Sequence, residues 1–91
     1  MFPNREDILH YIGRAWGKLQ EFDRAISMLK KVLDINPDNV QARLDLGVIL
    51  LSARFYEHAI QELKSAQRLD PGNPMIKQLL QDAQRLRNLY R

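Results

Sequence analysis

Ninety-one residues, 45% of them hydrophobic and 27% charged, suffice for one small domain and are too apolar for a disordered chain. The longest uncharged run, Leu46 to Ala53, falls far short of the roughly 20 residues that span a bilayer, and charges throughout residues 1–24 argue against a secretory leader. The absence of cysteine removes disulfides and thiolate metal sites and suits a cytoplasmic location.

Taken in chain order, the first periodic segment follows Asn4, an expected N-cap with Glu6 and Asp7 in the turn behind it. Leu9, Ile12, Gly13 and Trp16 lie at i, i+3, i+4 and i+7, which predicts a helix over 5–18. Phe22, Ala25, Ile26 and Leu29, continuing to Val32 and Leu33, predict a second over 21–35. Asn36-Pro37-Asp38-Asn39 ends it and caps a third over 40–53, carried by Leu46, Gly47 and Leu50. Tyr56, Ala59, Ile60, Leu63 and Ala66 give a fourth over 56–69. Asp70-Pro71-Gly72-Asn73-Pro74 then opens a fifth over 74–90, with Pro74 suited to the first turn. In that last helix Ile76, Leu80 and Ala83 face back over the preceding hairpin, while Lys77, Gln81, Gln84 and Arg91 stay in water.

These elements recur with a period of 34 residues. Gly13 meets Gly47, Ala25 meets Ala59, Ile26 meets Ile60, Leu29 meets Leu63, Lys30 meets Lys64, Pro37 meets Pro71 and Asn39 meets Asn73. Glycine, alanine and proline recurring in step mark close helix crossings and turns. A 34-residue helix–turn–helix of this kind resembles the tetratricopeptide repeat (TPR), whose pattern is Trp-x2-Leu-Gly-x2-Tyr, Ala-x3-Phe-x2-Ala and a closing Pro. Residues 6–39 supply Leu9, Ile12, Gly13, Trp16, Ala25, Leu29, Val32 and Pro37. Residues 40–73 supply Arg43, Leu46, Gly47, Leu50, Ala59, Leu63, Ala66 and Pro71. Arg43 stands where an aromatic is usual, and aliphatics take the Phe slots. The resemblance covers residues 6–73, and residues 74–91 resemble the helix that closes such arrays. It implies an all-α fold: a right-handed solenoid of antiparallel helix hairpins, five helices in one domain over residues 1–91, with repeats at 6–39 and 40–73 and a capping helix at 74–91.

The stretch Leu44–Leu51, LDLGVILL, is apolar nearly all round, as expected of a helix covered on more than one side. Leu46, Gly47, Ile49 and Leu50 account for packing within the stack. Leu44, Val48 and Leu51 form a second stripe on the face that TPR stacks turn towards their concave groove. Beside them fall Asp7, His10, Tyr11, Arg14 and Lys18 of the first helix, Asp45 of the third, and Met75, Gln78, Leu79, Asp82 and Leu86 of the fifth. The expected groove has an apolar floor of Leu44, Val48, Leu51, Met75 and Leu79 beside Tyr11, flanked by the basic His10, Arg14 and Lys18. Such a surface suits a peptide or amphipathic helix with apolar anchors and acidic residues. Self-association of two copies and internal cover by the closing helix are the alternatives. One subset of TPR proteins grips chaperone C-terminal carboxylates with a Lys, Asn, Asn, Lys, Arg set. The aligned His10, Arg14, Asp45, Met75 and Leu79 do not form that clamp.

Residues 1–73 carry no net charge, so the +3 comes from Lys77, Arg85, Arg87 and Arg91 against Asp82. A basic final helix is a weak reason to expect nucleic-acid contact and an ordinary complement to a helix C-terminus. No phosphate-binding glycine loop, nucleophile elbow or metal-spaced His pair occurs. No catalytic residue, cofactor or metal is expected. The reading is a protein–protein interaction module or scaffold, not an enzyme.

Overall fold

The computed structural model describes residues 4–90. Its helices are α1 Arg5–Lys18, α2 Phe22–Ile35, α3 Val40–Ser52, α4 Tyr56–Leu69 and α5 Pro74–Leu89, each within a residue of the expected bounds at either end. Asparagine starts every odd-numbered helix. Asn4 Oδ1 accepts from the Asp7 N–H at 2.8 Å, and Asn39 Oδ1 accepts from Ala42 N–H at 2.9 Å. Asn73 Oδ1 accepts from Met75 and Ile76 N–H at 2.9 and 3.4 Å, satisfying donors that have no partner inside the helix.

The even-numbered helices have no side-chain cap and follow tight turns instead. At the end of α1, the Gln20 N–H donates to Gly17 O and the Glu21 N–H to Trp16 O, both at 3.0 Å. One period later, the Arg54 N–H donates to Leu51 O and the Phe55 N–H to Leu50 O at 3.0 and 2.8 Å. This paired ring is the Schellman C-cap, whose outer residue is left-handed and usually glycine. Here it is Gln20 at φ 61° and Arg54 at φ 69°. A side chain in that region costs about 1–2 kcal/mol, and glycine returns part of the difference as unfolded-state entropy. Gln20→Gly and Arg54→Gly are each expected to stabilise by about 0.5–1 kcal/mol, read as a higher thermal midpoint. A lowered midpoint would mean those side chains hold the turns.

Each helix packs chiefly on its sequence neighbours, and α1 also touches α3 as α3 touches α5. The odd-numbered helices therefore share one layer and α2 and α4 the other. One core cluster holds Ala25, Leu29, Val32 and Leu33 against Ala42, Leu46, Ile49 and Leu50, with Trp16 and Leu9 at its margin. The second holds Leu44, Ile60, Leu63, Ala66, Ile76, Leu80 and Ala83. Helix α3 feeds both through its own leucines, α4 adds Ala59 to the first, and Leu51 packs against each. That double duty is why residues 44–51 are apolar all round. Gly47 lets the layers meet, because a Cβ there would stand 2.8 Å from Leu63 Cγ and Cδ2.

Polar contacts tie the turns to the helices. Glu6 accepts from Asn36 Nδ2 and Asn39 Nδ2 at 3.0 and 2.6 Å, anchoring the start of α1 to the α2–α3 turn. Arg43, in the slot where the repeat pattern usually has an aromatic, reaches Glu62 Oε2 at 3.0 Å and Pro37 O at 3.1 Å. Its guanidinium does by hydrogen bonding what a ring would do by packing. Arg24 lies 4.7 Å above the ring of Trp16, within cation–π range.

Candidate functional site

The layer of α1, α3 and α5 presents the residues singled out for the groove, but unevenly. Val48 is 39% exposed, Met75 59% and Tyr11 77%. Leu44 is a correction: at 5% exposure it lies in the second core cluster with Ile60, Leu63 and Ile76. Helix α5 packs on α3 as well as on α4, and this crossing covers the part of α3 that carries Leu44. Leu51 and Leu79 are half-buried against the same cluster. Internal cover by the closing helix thus uses much of the expected floor, leaving Val48 and Met75 as its open members.

Asp45 joins two members of the expected basic flank, His10 and Arg14. It accepts from His10 Nε2 at 2.7 Å and from Gln41 Nε2 at 3.0 Å. Arg14 Nε stands 3.8 Å from the same carboxylate. His10 is therefore held as a bridge from α1 to α3 and not offered to a partner. Arg14, with 58% of its side chain exposed, and Lys18 remain open to solvent. Across α5, Gln78 Nε2 donates to Asp82 Oδ1 at 3.1 Å.

Between α1 and α3 the surface dips into a pocket of about 210 Å³ lined by Arg14, Gly17, Lys18, Phe22, Asp45, Val48, Ile49 and Ser52. Val48, Ile49 and Phe22 make an apolar floor, with the two cations at the rim. Gly17, Phe22, Ile49 and Ser52 were not among the expected groove residues. Phe22 reaches the pocket because the turn at Gln20 starts α2 beside the end of α1, and no glycine marks that turn in the sequence. The structural positions of the repeat are uneven too: Gly13, Ala25, Gly47 and Ala59 are buried, whereas Pro37 and Pro71 are exposed at their turns.

In the final helix, Arg85 Nη1 lies 3.6 Å from Asp82 and Arg87 Nη1 3.5 Å from Glu57. Arg91 lies outside the described residues. Two of the expected cations thus have acidic neighbours, which weakens the case for a phosphate-binding stripe. Among the described residues no group of His, Cys, Asp and Glu could hold a metal. Among the described residues no helix is long and apolar enough to cross a membrane.

A stack of helix hairpins with glycine or alanine at each crossing, repeating every 34 residues, agrees with comparison to known proteins. The tetratricopeptide repeat family model matches residues 18–83. The chain belongs to the tetratricopeptide repeat family. Among curated TPR relatives, the DnaJ homolog subfamily C member 3 of Rattus norvegicus is 37% identical over 62 residues, covering 68% of this chain and 12% of the relative. BBSome complex member BBS4 of Bos taurus is 28% identical over 71 residues, covering 77% of this chain and 14% of that protein. Of solved TPR structures, MamA AMB-1 superposes with TM-score 0.80 at 27% identity, covering 89% of this chain and 44% of that one. MamA MSR-1 gives TM-score 0.80 at 26% identity, over 87% and 45%. The chain spans less than half the length of each of these proteins. TPR repeats generally mediate protein–protein interaction.

Proposed function

We propose that this chain is a cytoplasmic, non-catalytic interaction module of two repeats, 6–39 and 40–73, closed by residues 74–91. It takes an extended or helical peptide along the concave face of α1 and α3. The observation that carries this reading is the pocket in which Val48, Ile49 and Phe22 lie beneath Arg14 and Lys18. An apolar side chain is desolvated on that floor, and an adjoining Asp or Glu meets the rim cations, which contribute orientation and encounter rate more than affinity. Tyr11 and Met75, both exposed, extend the contact to either side.

Selection of a random peptide display library tests it. Enriched peptides are expected to place an aliphatic or aromatic residue next to an acidic one. Their binding should fall about tenfold or more on Val48→Glu and on Arg14→Glu. Circular dichroism should stay unchanged, because both positions are exposed. Enriched peptides indifferent to both substitutions would sink the groove reading.

A further inference from the structure

We infer that the pocket between α1 and α3 takes one acidic side chain, at its Lys18 end, and that Asp45 is the residue that keeps a second acid away from its Arg14 end. The inference rests on the groove reading and narrows the partner that groove takes. Two pairs fix the register of the helices across the pocket. Arg14 Nε stands 3.8 Å from Asp45 Oδ2, and a Cβ on Gly17 would stand 3.1 Å from Ile49 Cδ1. Helices α1 and α3 therefore run the same way. Lys18, one turn beyond Arg14, and Ser52, two turns beyond Asp45, share the far end of the pocket that both line. Among the described residues Lys18 has no ion pair or hydrogen bond, whereas Arg14 already faces a carboxylate. The two rim cations are thus unequal: one is free, and the other is answered from within the chain.

Asp45 is held where it can discriminate. Its side chain is 18% exposed. Oδ2 accepts from His10 Nε2 at 2.7 Å and Oδ1 from Gln41 Nε2 at 3.0 Å. Engaged on both oxygens, from α1 and from α3, it is not free to swing aside for an incoming carboxylate. An acid arriving beside Arg14 meets this like charge, the means by which interfaces reject wrong partners. An acid arriving at Lys18 meets a cation with no competitor. Between the two ends lie Val48, Ile49 and Phe22, where an apolar anchor is desolvated. The occupant that complements this order is a peptide with an aliphatic or aromatic anchor, one Asp or Glu on its Lys18 side and an uncharged residue on its Arg14 side. A peptide acidic on both sides is disfavoured, although two cations stand at the rim.

Fluorescence anisotropy of a labelled display-selected peptide, one that needs Val48 and has a single acidic residue beside its anchor, tests the assignment. Two relatives of that probe are made: one with the acid changed to its amide, and one with a second acid across the anchor. The amide form is expected to bind wild type about fivefold more weakly. That loss should vanish on Lys18→Gln and persist on Arg14→Gln, a mutant cycle that assigns the acid to one cation. The doubly acidic form should bind wild type about fivefold more weakly than the singly acidic one. Asp45→Asn, which keeps an oxygen for His10, should abolish that penalty with helicity unchanged by circular dichroism. An acid that couples to Arg14 as strongly as to Lys18 overturns the inference, and this cycle uses two exposed residues, so it decides even where Asp45→Asn disturbs the fold. A penalty that survives in a folded Asp45→Asn chain overturns it as well. Either result leaves the groove reading standing, whereas selected peptides indifferent to Val48→Glu remove both.

Discussion

Leu44→Glu is expected to destabilise the fold by about 3–5 kcal/mol, whereas Val48→Glu, one turn along the same helix, should leave it intact. Leu44 is 5% exposed among Ile60, Leu63 and Ile76, and Val48 is 39% exposed at the pocket. A carboxylate at 44 would displace apolar side chains from the second cluster and lose its hydration. At 48 it keeps its water. Domains of this size hold only about 5–15 kcal/mol in total, so Leu44→Glu should remove most of the urea resistance seen by circular dichroism. Equal urea midpoints for the two variants would mean that α5 does not cover α3 as described.

Gly47→Ala comes next in size. In an exposed helix interior, alanine in place of glycine is worth close to 1 kcal/mol in its favour. Here the added methyl would stand 2.8 Å from two carbons of Leu63, a side chain with no exposure. Overpacking of a closed core costs about 1–3 kcal/mol, so the sign reverses and the variant is less stable. Gly17→Ala is the control. Its nearest neighbour is Ile49 Cδ1 at 3.1 Å, the free end of a flexible chain that can yield, so this substitution should be neutral or stabilising. Leu63→Ala alone should cost about 2–5 kcal/mol. In the Gly47→Ala background it should cost less, because the new methyl occupies part of the vacated space. Strict additivity in urea titrations would show that residues 47 and 63 do not share one cavity.

The sequence made the helices legible because three kinds of signal coincide in it: asparagine caps, proline turns, and a 3.6-residue period repeated 34 residues on. The family followed from the same residues. The groove was legible only in part, for reasons visible at single positions. Leu44 and Val48 are indistinguishable by spacing, and only the crossing of α5 over α3 separates them. His10 reads as a basic groove residue until Asp45, 35 positions away, is seen to accept its proton donor. Phe22 reads as ordinary core because the turn that brings it to the pocket is built on Gln20, a residue with no turn signature. The apolar edge of α1 is written in the sequence as plainly as the rest. Ile8, Ile12 and Ala15 stand one period before Ala42, Leu46 and Ile49 of the buried stripe of α3.

Trp16 is the only tryptophan, half-buried at the margin of the first cluster beneath Arg24. Its fluorescence therefore watches one end of the molecule, whereas ellipticity sums all five helices. In a linear stack each hairpin is stabilised by its neighbour, and cooperativity depends on how strongly adjoining units couple. The coupling here runs through α3 and through Ala59 of α4, since both helices contribute to the two clusters. The optical probe at the far end thus reports whether melting begun at α5 travels the length of the array or stops at the seam between hairpins.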